Sequence, residues 1–322
     1  MKRRGLLGAA LGAASALPLG GAWAADAGSA KAAGAPAGWG PGTPLTLENS
    51  SVHLLTAQGS GRVYPVWVDL PRSYAEPGSA QRRYPVVLAP DAPWSFPYLR
   101  TVRNLVGRRG QNIEDFILVG LAPEQGMSHV DARARDYTPT DPRSRPATAH
   151  DYGSPRYGEA AAHQRFLADQ VLPAIAQNYR ADAKRQVFIG HSYGSLLGLQ
   201  VLLSQPDLFS HYILGSPSLW FDQRSAFELE RATAERRKDL PARVMMYAGG
   251  FETPGKSPRH YKDGDLIGDM KRFERQLAGR RYPSLSIASR VVADEDHYTV
   301  FPSLAARGLT WALPGSGPYL SG

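Results

Sequence analysis

The pentapeptide Gly190-His191-Ser192-Tyr193-Gly194 sets a serine in the pattern G-x-S-x-G. Such spacing belongs to a sharp strand-to-helix turn. Small flanking residues let neighbouring segments approach, the turn lifts the hydroxyl clear of the sheet, and the following helix N-terminus can stabilise developing negative charge. Ser192 is the candidate nucleophile, and a serine needs a base. The histidines after it are His211, His260 and His297. His297 stands in "SLSIASRVVADEDHYTVFPSL", behind a strand-like run and an acidic turn and ahead of a terminal helical pattern. On this kind of sheet the chain order is serine, acid, histidine, which selects His297. His260 lies in the polar run "GKSPRHYKDGD", and His211 reads as a strand-edge residue. Glu252, directly after "RVMMYAGG", is the candidate acid that holds the imidazole tautomer, with Asp269, Asp294, Glu295 and Asp296 as competitors. The oxyanion should meet the backbone N–H of Tyr193 and a second donor in the loop "DAPWSF", at Ala92 or Trp94, because Pro93 has no N–H.

The surrounding elements must hold these groups. Apolar runs at 84–90, 116–122, 186–191, 211–216 and 243–250 read as buried parallel strands. Helical patterns cover 159–179, 195–206 and 268–280. Ahead of them, "SVHLLTAQ" and "RVYPVWVDLP" flank Gly59-Ser60-Gly61 as an antiparallel hairpin; no third glycine follows at dinucleotide-fingerprint spacing. The pattern implies a three-layer α/β fold: a mostly parallel central sheet with an antiparallel N-terminal start and helices on both faces.

Composition narrows the class. The chain of 322 residues is 43% hydrophobic, enough for a sizeable core. Residues 1–24 place Lys2, Arg3 and Arg4 before a short Leu/Ala/Gly run ending in Ala22-Trp23-Ala24, which reads as a cleaved export signal; Arg3-Arg4 resembles a twin-arginine type, with ordinary export as the alternative. Loss of those three cations takes the formal charge from +8 to +5. The basic residues are scattered, which disfavours nucleic acid and leaves room for an anionic substrate. Cysteine is absent, which excludes disulfides, thiolate metal sites, a thiol nucleophile and a thioether lipid anchor. No HExxH, P-loop or EF-hand spacing occurs, so neither metal nor cofactor is expected. Residues 25–44 read as a flexible lead-in, 45–313 as one domain and 314–322 as a flexible tail. The polar, Arg-rich segment from Pro123 to Tyr157 reads as a long loop that covers the pocket.

Seven stretches together resemble the Putative esterase branch of the α/β-hydrolase superfamily, which includes esterase D-like enzymes and periplasmic trilactone siderophore esterases. They are "VDLPRSY" with "YPVVLAPD", "ARDYTPT", "FLADQVLPAIAQNYRAD", "FIGHSYGSLLGL", "FSHYILGSPSLWFD", "YAGGFET" and "EDHYTVFPSLAARGLTW", in the family's order and over nearly all of the expected mature chain. The resemblance implies the α/β-hydrolase fold, carries Ser192 and His297 over directly, and matches Glu252 to the acidic position. It also implies that Arg135 stands near the site mouth, where a cation could hold an anionic substrate, a salt bridge to Asp136 being the other reading. Trp220 lines the pocket or packs behind it. Two departures stand out: Ser195 replaces the family's second glycine, and Asp91-Ala92 replaces its Asp-Gly.

These readings converge on an exported serine esterase, periplasmic or secreted, with no stable membrane insertion after signal cleavage, acting on a small-molecule ester. By resemblance the leading substrate is a siderophore trilactone, and a short-acyl or hydroxycinnamoyl ester is the alternative. An acyltransferase would share every motif, and a non-catalytic ligand-binding protein would share the fold without needing Ser192.

Overall fold

The computed structural model describes residues 42–144, 154, 156–262 and 264–318. It divides into two units, Met1–Thr46 and Leu47–Gly322. Of the first, residues 42–46 are described and form an exposed stretch without regular structure. The expected export signal and most of the lead-in lie outside the described residues.

The second unit carries an eight-stranded sheet of β1 (Ser50–Thr56), β2 (Val63–Asp69), β3 (Tyr84–Ala89), β4 (Ile117–Leu121), β5 (Ala181–His191), β6 (His211–Gly215), β7 (Ala242–Gly249) and β8 (Leu285–Val292). Its order is β1-β2-β4-β3-β5-β6-β7-β8. The Gly59–Gly61 turn makes β1 and β2 an antiparallel hairpin, and β2 runs antiparallel to β4. Every pairing from β4 to β8 is parallel. Helices α1 (Ala92–Thr101), α2 (His129–Tyr137), α3 (Ala160–Phe166), α4 (Leu172–Asn178), α5 (Tyr193–Ser204), α6 (Phe221–Arg236), α7 (Leu266–Gly279) and α8 (Val300–Ala312) cover it.

Successive side chains of a strand point to opposite faces, and the two cores follow that alternation. Val86 and Leu88 join Phe188, Leu214 and Met246 beneath α3 to α7. Val87 and Ala89 join Ile189, Ile213 and Met245 beneath α1 and α8. Being buried on both faces, β3 is apolar at every position, which is why it reads as a continuous run. The fold is that of the α/β-hydrolases.

Three local expectations are corrected. The stretch after β3, read as a loop, is the first turn of α1. Pro93 falls there, where a missing N–H costs nothing. Ala92, Phe96 and Leu99 recur at helical spacing and bury one face against the sheet. Gly120 on β4 permits that approach, since a Cβ would lie 2.9 Å from the Ala92 Cβ and 2.8 Å from the Phe96 ring. The long segment from Pro123 contains α2, opened by Ser128 accepting the Asp131 N–H at 3.1 Å; residues 145–153 and 155 lie outside the described residues. The tail is pinned where it leaves α8. Pro314 bridges Ile113, and the N–H groups of Gly315, Ser316 and Gly317 donate to the carbonyls of Asn112, Gly110 and Gln111 at 3.0–3.1 Å.

Candidate active site

Strand β5 ends at His191, and the chain turns through Ser192 into α5 with φ 58° and ψ −119°. That conformation is strained for a residue with a side chain, at a cost of about 1–3 kcal/mol, and the surroundings hold it. The Ser192 N–H donates to the Gly215 carbonyl at the end of β6, 2.9 Å away. The first turn of α5 sits directly over β5, so a Cβ on Gly190 would meet the Gly194 carbonyl oxygen at 2.5 Å. A Cβ on Gly194 would in turn press on Pro90 Cγ at 3.1 Å, and the Ser192 side chain stays partly exposed at the C-terminal edge of the sheet.

Glu252 lies three residues beyond β7, and His297 lies between β8 and α8. The tertiary fold brings them together: His297 Nδ1 and Glu252 Oε2 are 2.9 Å apart. Glu252 is 1% exposed, yet its carboxylate is well supplied. Its Oε1 accepts the Ser216 hydroxyl at 2.6 Å and the Gly249 N–H at 2.8 Å, leaving Oε2 for the imidazole. The Ser192 hydroxyl is 3.3 Å from that of Ser218, a buried residue on the loop after β6. His191 packs its ring on that of His297, with centroids 4.7 Å apart. Burial pushes the His191 pKa well below the usual value, and His297 and Arg133 push in the same direction. His191 is thus a neutral neighbour of the His297 ring.

The competing groups are engaged elsewhere. Asp269 pairs with Arg224 at 3.0 Å, and Glu295 accepts the Ser303 hydroxyl at 2.8 Å. Asp294 is exposed in the turn. Asp296 meets Arg259 at 2.8 Å; burial opposes its ionisation, but Arg259 and the N–H groups of Thr299 and Tyr298 outweigh it and draw the carboxyl down to about 2. His260 Nδ1 lies 2.9 Å from the Thr253 carbonyl. His211 opens β6, at the opposite end of the sheet from Ser192.

Tyr193 begins α5 and Ala92 begins α1, so both expected backbone donors sit in the first turns of helices. Of the two candidate donors on α1, the Trp94 N–H is engaged with the Asp91 carbonyl at 3.1 Å. Asp91 has a left-handed φ of 60°, tolerable for aspartate, and turns the chain from β3 into the helix. Trp220 reaches the rim, its ring 6.4 Å from that of Tyr193.

Of the two readings of Arg135, the salt bridge to Asp136 is the one found, and the place at the site mouth is overturned. Its side chain is 1% exposed and points away from the mouth, bonded to Asp136 at 2.7 Å, Glu124 at 2.6 Å and the Tyr64 hydroxyl at 3.0 Å. The cation beside the elbow is Arg133, two residues earlier on α2. Its guanidinium lies 5.6 Å from the Tyr193 ring centroid and 5.7 Å from that of Trp94. His129, Arg133 and Tyr137 recur every four residues, a helix-face signal that a loop assignment hides. Ser216 and Ser218 were also missed; they lie in "LGSPSLW", directly after a strand end.

Among the described residues, no three His, Asp or Glu side chains converge as metal ligands, and no helix is long and apolar enough to cross a membrane.

A family model described as "Putative esterase" matches residues 57–285. The chain is 28% identical to the ferri-bacillibactin esterase BesA of Bacillus subtilis (strain 168), over 88% of this chain and 96% of that one. It is 26% identical to the siderophore triacetylfusarinine C esterase of Aspergillus fumigatus, over 85% and 98% of the two chains. The solved structure of the siderophore hydrolase EstB from Aspergillus nidulans superposes with a TM-score of 0.70 at 23% identity, covering 85% of this chain and 98% of that one.

Proposed function

The chain belongs to the Putative esterase family and is a carboxylic-ester hydrolase; from that premise we propose that it is an exported serine esterase whose substrate is a siderophore ester, with Ser192, His297 and Glu252 as its triad. The observation that carries the mechanism is the buried carboxylate of Glu252, fixed by two donors on Oε1 and aimed through Oε2 at His297 Nδ1. That contact keeps the proton on Nδ1 and frees Nε2 to act as base. His297 takes the Ser192 proton as Oγ attacks the acyl carbon. The oxyanion is met by the N–H groups of Tyr193 and Ala92, at the first turns of two helices. The imidazolium then protonates the departing alkoxide, and water, activated by the same base, cleaves the acyl-enzyme. In this structure the Ser192 hydroxyl meets Ser218, and in this reading its hydrogen bond to His297 Nε2 forms once substrate is bound, as nucleophile–base contacts often do.

The substrate class rests on the relatives named for siderophore esters and on the mild cationic surplus. Residues 45–313 are the catalytic domain in this reading, and removal of residues 1–24 delivers it to the periplasm or medium. A fluorophosphonate probe should label wild-type protein at Ser192 and leave Ser192→Ala unlabelled. Wild type should cleave a trilactone siderophore in preference to p-nitrophenyl and feruloyl esters. Labelling that survives Ser192→Ala would refute the mechanism, and turnover confined to the small esters would refute the substrate. Mass measurement of the exported protein should place its first residue at Ala25.

A further inference from the structure

Arg133 touches both segments that carry the oxyanion donors. Its Nε donates to Asp91 Oδ1 at 2.8 Å and its Nη2 to the His191 carbonyl at 3.4 Å. Asp91 immediately precedes Ala92, and His191 immediately precedes Ser192 and Tyr193. The guanidinium also lies over the rings of Tyr193, Trp94 and Tyr137, 5.6–6.0 Å from their centroids. A single planar cation thus spans the gap between the turn that opens α1 and the turn that opens α5.

Asp91 is an unusual partner for that position. It is 2% exposed, its N–H donates to the Tyr137 hydroxyl at 3.2 Å, and its Oδ1 also lies 3.1 Å from His129 Nε2. Its Oδ2 is turned to the first turn of α5, 3.4 Å from where a Gly194 Cβ would stand. A buried carboxylate beside the place where an oxyanion forms opposes that charge unless a cation balances it. The same carboxylate is what Arg133 grips to hold the Asp91–Ala92 turn.

We infer that Arg133 is a positioning residue for the proposed esterase reaction, holding the Ala92 and Tyr193 donors at a fixed separation through Asp91 and the His191 carbonyl while neutralising Asp91. The inference rests on the serine mechanism above. It assigns Arg133 to the transition state of any ester and not to recognition of an anionic substrate group, because Nε and Nη2 both point into the protein scaffold.

The test compares Arg133→Met and Arg133→Lys with wild type on neutral p-nitrophenyl acetate and on an anionic p-nitrophenyl hemisuccinate, with thermal unfolding measured alongside. Losing the set of an oxyanion donor should lower kcat about a hundredfold on both esters, with KM nearly unchanged. Lysine should restore only part, since an ammonium can meet Asp91 but cannot span to the His191 carbonyl with a planar fork. Should Arg133→Met fail to fold, the same comparison is read from Arg133→Lys. A rise in KM for the anionic ester alone would overturn the inference, as would a lowered unfolding temperature with kcat per folded molecule intact. Ser192→Ala separates the two layers: hydrolysis surviving in it refutes the serine mechanism, whereas abolished hydrolysis beside unimpaired Arg133 variants refutes only the role of Arg133.

Discussion

Replacing Glu252 with glutamine should be more damaging than the loss of one charge suggests, and the hydrogen bonds around it say why. The Gly249 N–H is fixed backbone and can only donate, and it meets Oε1 at 2.8 Å beside the Ser216 hydroxyl at 2.6 Å. In Glu252→Gln the amide oxygen must therefore stay at the Oε1 position, which turns the NH2 toward His297 Nδ1. A donor facing Nδ1 forces the imidazole proton onto Nε2, the nitrogen that accepts the Ser192 proton in the proposed mechanism. The lost ion pair contributes separately: unit charges about 4 Å apart at an effective dielectric near 20 interact by ~4 kcal/mol, about three decades in rate. Tautomer and charge together should lower kcat about 10³–10⁴-fold. Glu252→Ala loses the charge without imposing the tautomer and should be no slower than Glu252→Gln. The assay is p-nitrophenyl butyrate hydrolysis per active site, titrated at pH 8, with unfolding temperatures checked. A glutamine variant within about tenfold of wild type, or one clearly faster than the alanine variant, would refute the argument.

Gly190→Ala drives a Cβ to 2.5 Å from backbone, so the elbow must shift; about 1–3 kcal/mol of stability should go, and kcat should fall about 10²-fold as Ser192 moves, read by activity and fluorophosphonate labelling rate. Arg135→Met strands Asp136 and Glu124 around a buried site; denaturant unfolding should show a loss of about 3–5 kcal/mol, while kcat per folded molecule stays at the wild-type value. His163 is packed among the rings of Tyr64, Tyr137 and Phe166, and burial holds its pKa below 6.5. The unfolded chain therefore takes up a proton that the folded one refuses once pH drops below 6.5. Stability should be full above that pH and fall by about 1.4 kcal/mol per pH unit below it, until the folded pKa is reached. His163→Phe should remove that share of the acid sensitivity in unfolding midpoints measured between pH 7 and 5, and an unchanged pH slope would sink the assignment.

Patterns set by the backbone itself were readable in one dimension. Doubly buried strands must be apolar at every position, so β3, β4 and the buried second half of β5 announced themselves, and the elbow did so through glycines that steric contact demands. Elements that break local rules were not readable. Pro93 and Pro97 hid α1, because proline reads as a loop signal unless its place in the first turn or its packing is known. Nine residues of α2 were lost in a polar stretch whose apolar content is too low to show a stripe. Arg135 drew attention through its neighbours in "ARDYTPT", yet a helix turns 100° per residue, so residues two apart point in nearly opposite directions. Arg135 entered the core, and Arg133 met the elbow.

What the sequence by itself determined is the sheet and its layering, and it offered a candidate serine, a candidate histidine and several candidate acids in the expected chain order, because these depend on local sterics and periodicity. Only the tertiary structure decided which acid faces His297 and which arginine stands beside the elbow. Those choices turn on distances of a few ångströms between strand ends and helix starts tens of residues apart, and hydrogen bonding is won or lost over about 0.5 Å.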